Sequence, residues 1–321
     1  MNPRILVTGG AGLIGSAFCE RAAAGGASVT VLDNLSTGRR SHLPRGRAVE
    51  LVVGDVCDDA LVGRLVRRAD SVVHLAAGVG VRLILERPTG TLRQSLLGTE
   101  IVLRHAAAAR RPLLFASSSE VYGDAGDAPL SESRPAGFGA PTSLRFSYAA
   151  GKAAGEALAF AYAQEYALPV VVGRFFNVTG ARQSSENGAV LPRLVDQALA
   201  GGPLTVHGDG AQTRCFLDAR DAAEMVWRLL GAAAAGGILC NVARDEPITI
   251  LDLARAVREA VDPSLRIVHG EPDYGRGFAP IRHRRPDTGR LLALTRYTPK
   301  VPLDATIRAC VDARRRARAA P

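Results

Sequence analysis

Short apolar runs recur along the first half of the chain, separated by stretches with helical spacing or by glycine and acidic turns. Arg4–Thr8, Ser28–Leu32, Val49–Val53, Ser71–Leu75, Leu113–Ser117 and Val170–Phe175 each read as a short strand with few polar positions. Runs of this length and character suit strands buried on both faces. Helices are expected between them, over Ser16–Ala24 and over the Ala-rich Ser147–Ala161. Strands that alternate with helices predict an α/β fold built on a doubly wound parallel sheet. Past Asn177 the pattern becomes less regular, which predicts a second, smaller α/β lobe.

The chain has 321 residues and 47% apolar content, enough to bury a sizeable core with room for about two domains. It opens directly into an apolar strand without a leader pattern, and it contains no run of 18 apolar residues. A cytoplasmic protein with no membrane segment is therefore expected. Its five cysteines are scattered without a C-x-x-C pair, which disfavours a zinc site or a disulfide framework. The formal charge is +9, nearly all from arginine. Basic residues are dispersed and aromatics make up 5%, so few stacking platforms exist for bases, and a small anionic substrate is expected rather than nucleic acid.

The first strand runs into Gly9-Gly10-Ala11-Gly12-Leu13-Ile14-Gly15 and then a helix. Gly9 permits the tight turn, Gly12 lets backbone approach a pyrophosphate, and Gly15 permits close helix packing. The helix N-terminus then offers its free N–H groups to phosphate. The second strand ends at Asp33, where an acid binds the adenosine ribose hydroxyls and repels the extra phosphate of NADP. NAD is the expected cofactor. Arg39 and Arg40 are either solvated loop charges or acceptors for that phosphate. Asp55, after the third strand, is placed to meet the adenine amino group, and Ala76 and Ala77, after the fourth, let the cofactor lie close.

Tyr148 and Lys152 stand four apart in the Ala-rich helix, so both leave the same face. An ammonium beside a phenol favours phenolate and lowers a pKa that is otherwise about 10, giving an acid or base usable near neutrality. Ser118 ends the fifth strand and can hold a reacting hydroxyl.

Together Thr8–Gly15, Asp33-Asn34, Gly54-Asp55-Val56, His74-Leu75-Ala76-Ala77, Ser118 with Tyr148 and Lys152, and Arg174-Phe175-Phe176-Asn177 resemble the extended short-chain dehydrogenase/reductase family. The resemblance covers nearly the whole chain. It implies Ser118, Tyr148 and Lys152 as the catalytic trio. It also implies an NAD set of Gly9, Gly12, Leu13, Ile14, Gly15, Asp33, Asn34, Asp55, Val56, Leu75, Ala76, Ala77, Tyr148 and Lys152. The expected division is a Rossmann domain at 1–178 with a return segment at 214–244, and a nucleotide-sugar lobe at 179–213 and 245–321. A homodimer is implied as well, paired through two helices from each subunit.

Within the family, Leu204–Arg214 is similar to a uridine-diphosphate strand and loop. Thr205, His207 and Arg214 are its candidates, with Asn177 beside them; Arg214 either neutralises the diphosphate or serves as a structural ion-pair partner. Ser119-Glu120-Val121-Tyr122-Gly123 resembles UDP-glucuronate decarboxylases and UDP-xylose synthases, and so does Tyr274–Phe278 followed by His283-Arg284-Arg285-Pro286. That resemblance implies Glu120 and Arg284 as catalytic, and Arg145, Tyr274, Phe278 and Arg284 as substrate-binding. The implied activity is decarboxylation of UDP-glucuronic acid, with a UDP-sugar 4-epimerase as the alternative and a catalytically silent NAD-binding regulator as a third possibility. Ser95 for an Asn, Thr179-Gly180-Ala181-Arg182 for Tyr-Gly-Pro-Arg, Ala189 for an Arg and Phe278 for a Tyr depart from the family pattern.

Overall fold

A computed structural model of the chain describes residues 2–78, 86, 88–137, 139, 145–186, 188–233, 236–271 and 281–319. Tyr274 and Phe278 lie outside the described residues, as does the side chain of Arg145. Six strands occur where the apolar runs placed them: β1 (Arg4–Thr8), β2 (Ser28–Asp33), β3 (Val49–Val53), β4 (Ser71–His74), β5 (Leu113–Ser118) and β6 (Val170–Phe175). Among the described residues seven more follow: β7 (Val178–Thr179), β8 (Leu204–His207), β9 (Thr213–Cys215), β10 (Leu217–Asp218), β11 (Ile238–Val242), β12 (Pro247–Thr249) and β13 (Ile267–Gly270).

The main sheet has the order β11-β6-β5-β4-β1-β2-β3, and every pairing in it is parallel. Its two faces follow from the period of two along each strand. Ile5 and Val7 enter one core with Phe18, Val31 and Met225, whereas Leu6 enters the opposite core with Val66, Leu103 and Phe115. Helix Leu13–Ala24 packs against helix Ala219–Ala232 on the first face. Helices Asp59–Arg68, Thr99–Ala108 and Arg145–Tyr166 cover the second. The chain order reverses between β1 and β4, leaving a crevice at their carboxyl ends where such sheets bind ligands.

Segments after β6 build a separate core of Leu191, Leu194, Leu204, Val206, Leu253, Val257 and Ile307. Here β8 pairs with β13 in parallel and β9 with β12 antiparallel.

Helix boundaries extend beyond the expected ones. The first helix starts at Leu13 rather than Ser16, because Gly12 already serves as its N-cap. The long helix reaches Tyr166 and ends where Ala167 turns left-handed at φ 51°.

Candidate active site

The crevice at the reversal point is a cleft of about 490 Å³, within the usual range of ligand pockets. Its outer wall is the glycine loop. Gly9 has φ +72°, and a Cβ there would lie 2.7 Å from the amide nitrogen of Ala76. A Cβ on Gly15 would sit on the carbonyl of Gly9. Loop, helix and β4 turn can approach this closely only with glycine at both positions. No side chain caps the helix at Gly12, so its first amides are left for a phosphate.

Asp33 is 9% exposed and accepts hydrogen bonds from Ala11 N (2.9 Å) and Leu35 N (2.8 Å), which aim its carboxylate at the cleft. Gly9, Gly12, Leu13, Ile14, Gly15, Asp33, Asn34, Val56, Leu75, Ala76 and Ala77 all line the cleft. Asp55 does not; it accepts from Asn34 Nδ2 (3.0 Å) and Cys57 N (2.8 Å) and thereby braces the loop after β3 against the one after β2. These features fit a dinucleotide: a glycine cradle at a helix N-terminus, and an acid at the ribose position. Arg39 and Arg40 are exposed and absent from the wall.

Ser118, Tyr148 and Lys152 meet at the inner end of the cleft. Lys152 is 3% exposed, donates to Ala116 O (2.6 Å) and lies 5.9 Å from the centre of the Tyr148 ring. Burial pushes its ammonium down to about 8, opposed by the charge of Glu156. Burial also raises the Tyr148 phenol above its ordinary value; a hydrogen bond from Ser118 opposes that rise and the charge of Glu120 adds to it. The expected lowering of Tyr148 by Lys152 is therefore not met in this arrangement. The ammonium donates to a strand carbonyl rather than to the phenol, and desolvation dominates at Tyr148.

Glu120 and Arg284 form an ion pair next to this trio, with Arg284 Nη2 also 3.3 Å from Glu120 Oε2. Arg284 is 3% exposed and its Nη1 reaches Ser119 Oγ at 3.5 Å. It arrives on a strap, residues 281–287, in which neighbouring side chains grip different segments. Arg282 pairs with Asp209 (2.8 Å), His283 bonds Thr213 (3.0 Å) and Arg285 pairs with Asp245 (2.7 Å). Leu130 N donates to Arg285 O (2.8 Å), and Asp287 N donates to Leu130 O (3.0 Å).

The candidates for the sugar nucleotide divide. Asn177 lines the cleft with φ 36° and donates to Cys215 O at 3.2 Å. Gly188 and Ala189 line it too. Thr205, His207 and Arg214 do not. Thr205 N donates to Gln197 Oε1 (3.0 Å), and His207 Nε2 is bonded by Arg193 (3.2 Å). Arg214 donates to the carbonyls of Thr213 (2.7 Å) and Ile281 (2.9 Å), so it holds the strap. Among residues the sequence patterns did not single out, His42, Arg182 and Gln183 line the cleft. Arg182 bonds Ser16 Oγ (3.1 Å) and pairs with Glu20, both on helix Leu13–Ala24. Its position in the departing Thr179–Arg182 quartet was the available signal.

A parallel sheet of this order, with a glycine cradle at its switch point and Ser118, Tyr148 and Lys152 at the inner end of the cleft, defines an NAD-dependent enzyme of the extended short-chain dehydrogenase/reductase type. The chain belongs to the NAD dependent epimerase/dehydratase family, whose model matches residues 5–243. It is 34% identical over 305 residues to a UDP-N-acetyl-alpha-D-glucosaminuronate decarboxylase of Bacillus cytotoxicus, covering 94% of each chain. It is 31% identical to UDP-glucuronic acid decarboxylase 5 of Arabidopsis thaliana, covering 94% of this chain and 86% of the relative. Among solved structures, the UDP-glucose 4-epimerase of Thermus thermophilus in complex with NAD superposes with a TM-score of 0.84 at 31% identity. That superposition covers 97% of this chain and 99% of the other.

Proposed function

We propose that this protein is an NAD-dependent decarboxylase of a UDP-linked uronic acid, with UDP-glucuronic acid as its substrate. The observation that carries the reading is the Glu120–Arg284 pair beside Ser118 and Tyr148. Epimerisation at C4 needs only the groups that act on the C4 hydroxyl. A guanidinium and a carboxylate beyond them suit a substrate that also carries a carboxylate and must exchange a proton at C5.

NAD, when bound, would supply the acceptor for the hydride that leaves C4. Tyr148 takes the proton of the C4 hydroxyl while Ser118 hydrogen-bonds the same oxygen. The resulting ketone lies β to the C6 carboxylate. The C5–C6 bond then breaks, its electrons pass to the C4 oxygen as an enolate, and carbon dioxide leaves. Tyr148 and Ser118 stabilise that oxyanion. Arg284 orients the carboxylate before it leaves, and Glu120 handles the proton that returns to C5. Lys152, which lines the cleft, would help to hold NAD and adds positive charge near Tyr148. We assign the cofactor to residues 1–178 and 214–244 and the sugar nucleotide to 179–213 and 245–321. Two chains pair as a homodimer.

The test is incubation of the purified protein with UDP-glucuronic acid and NAD, following nucleotide-sugar mass and NADH absorbance together. A product lighter by carbon dioxide is expected; NADH build-up then means release of the keto-pentose, and its absence means UDP-xylose. The identity to the Bacillus relative makes UDP-N-acetylglucosaminuronic acid the second substrate in the panel. Unchanged mass with both acids, in folded protein that binds NAD, overturns the reading. A sugar of altered configuration would then favour the 4-epimerase, which the likeness to the Thermus enzyme supports.

A further inference from the structure

Under the floor of the cleft one carboxylate gathers groups from three elements. Glu156 follows Lys152 by about one turn on helix Arg145–Tyr166 and is 6% exposed. It accepts hydrogen bonds from Ser117 Oγ (2.5 Å), Arg174 Nε (2.9 Å) and Arg174 Nη2 (2.6 Å). Ser117 immediately precedes Ser118 at the end of β5, and Arg174 lies on β6, three residues before Asn177. The guanidinium of Arg174 stacks over Tyr122 at 4.5 Å. Tyr122 Oη donates to Asn241 Oδ1 (2.8 Å), whose Nδ2 donates to the carbonyls of Leu130 (2.8 Å) and Asp287 (3.0 Å) beside the strap of Arg284.

A buried ion pair is a weak source of stability, because desolvating both charges consumes most of their attraction. Apolar side chains of the same volume would serve a helix–sheet contact as well. Directed hydrogen bonds to a charged group are what such a contact cannot supply. We propose that Glu156 and Arg174 are positioning residues, which fix Ser118 and Lys152 relative to one another by tying β5, β6 and the Tyr148–Lys152 helix to a single carboxylate. The inference rests on Ser118, Tyr148 and Lys152 being the reacting groups.

The pair is also the charge nearest Lys152 from below. Glu156 and Tyr148 face the ammonium from its own helix, Ala116 from β5 and uncharged His74 from β4, while Arg174 stands on β6 behind Glu156. Glu120 and Arg284 form a second, self-neutralising pair near Tyr148. Removing one member of the Glu156–Arg174 pair uncovers the charge of the other, with opposite consequences for Lys152.

Lys152 and Lys300 are the only lysines in the chain, so isotope-labelled lysine gives two side-chain signals and the titration of Lys152 can be read directly in the full-length protein. Glu156→Gln should move the Lys152 midpoint down by about 1 pH unit and Arg174→Met should move it up by about 1 unit. The Glu156→Gln/Arg174→Met double variant should return it to the wild-type position. In a turnover assay each single variant should lose kcat about 10- to 100-fold with KM for the sugar nucleotide little changed. Shifts of the same sign in both single variants, or no shift in either, overturn the proposal. If Arg174→Met does not fold, Glu156→Gln against the double variant decides: a lowered midpoint restored by the second change supports it, and identical midpoints overturn it. The titration needs no substrate, so its outcome is separate from that of the decarboxylation assay.

Discussion

His74 shows how much of the site's chemistry is set by burial. Its ring lies between Thr8 Oγ1 (2.7 Å) and Thr99 Oγ1 (3.1 Å) and stacks on Phe115 at 5.7 Å. Burial pushes its pKa down to about 3, and the charge of Lys152 adds to the effect. With the proton on Nε2, Thr8 donates to the ring while its own oxygen accepts from Ala76 N at 3.3 Å, so the histidine braces the turn that the cofactor must pass. An unfolded histidine titrates near 6.5. Between that value and about 3 the unfolded chain binds a proton that the native protein does not. Stability from this group is therefore complete above pH 6.5 and is lost as pH falls toward 3. Thermal midpoints measured from pH 7 to pH 4 should decline in the wild type, and His74→Asn should flatten that slope. The His-Leu-Ala-Ala motif was legible in the sequence. Its neutral charge state was not, nor was the depressed Lys152, because both depend on what other strands place around them. For the same reason the pairing of Glu120 with Arg284 could not be read from two positions so far apart in the chain.

At the scale of elements, legibility followed the apolar runs. β1 to β6 fall within a residue or so of them, even with Glu50 inside β3 and Arg174 inside β6. β11 lies inside the return segment, where Asn241 interrupts a short apolar run; that amide is buried and bonded to Leu130 and Asp287. Thr205, His207 and Arg214 are implied by likeness to a uridine-diphosphate strand and loop, and a sequence likeness fixes the element but not which side chains line the cleft. The glycine loop offers a direct test of element packing. Gly15→Ala places a Cβ on the carbonyl of Gly9 and 2.6 Å from Cα of Gly10. It should weaken NAD binding by about 10-fold or more, measured by calorimetry, since the loop that approaches the pyrophosphate must move. Gly231→Ala meets nothing within 4 Å in helix Ala219–Ala232 and should leave NAD affinity unchanged while raising stability by about 0.5–1 kcal/mol.

For the whole molecule, the sheet order and the separate C-terminal core explain why the less regular half of the sequence still folds onto the first. The outer surface of helix Arg145–Tyr166 carries Tyr166 at 60% exposure, paired with Tyr162 at 5.2 Å between ring centres. The proposed homodimer predicts twice the 33.7 kDa chain mass by light scattering, falling to the single-chain mass in Tyr166→Glu if this surface is the contact. The strap has a consequence for how the protein matures. In a chain emerging from the ribosome, the cofactor cradle and the Ser118, Tyr148 and Lys152 group are complete more than a hundred residues before Arg284 is made. Arg284 pairs with Glu120 while its neighbours hold Asp209, Thr213 and Asp245. In the order of synthesis, the residues proposed to act at C4 therefore come well before the one proposed to orient the carboxylate.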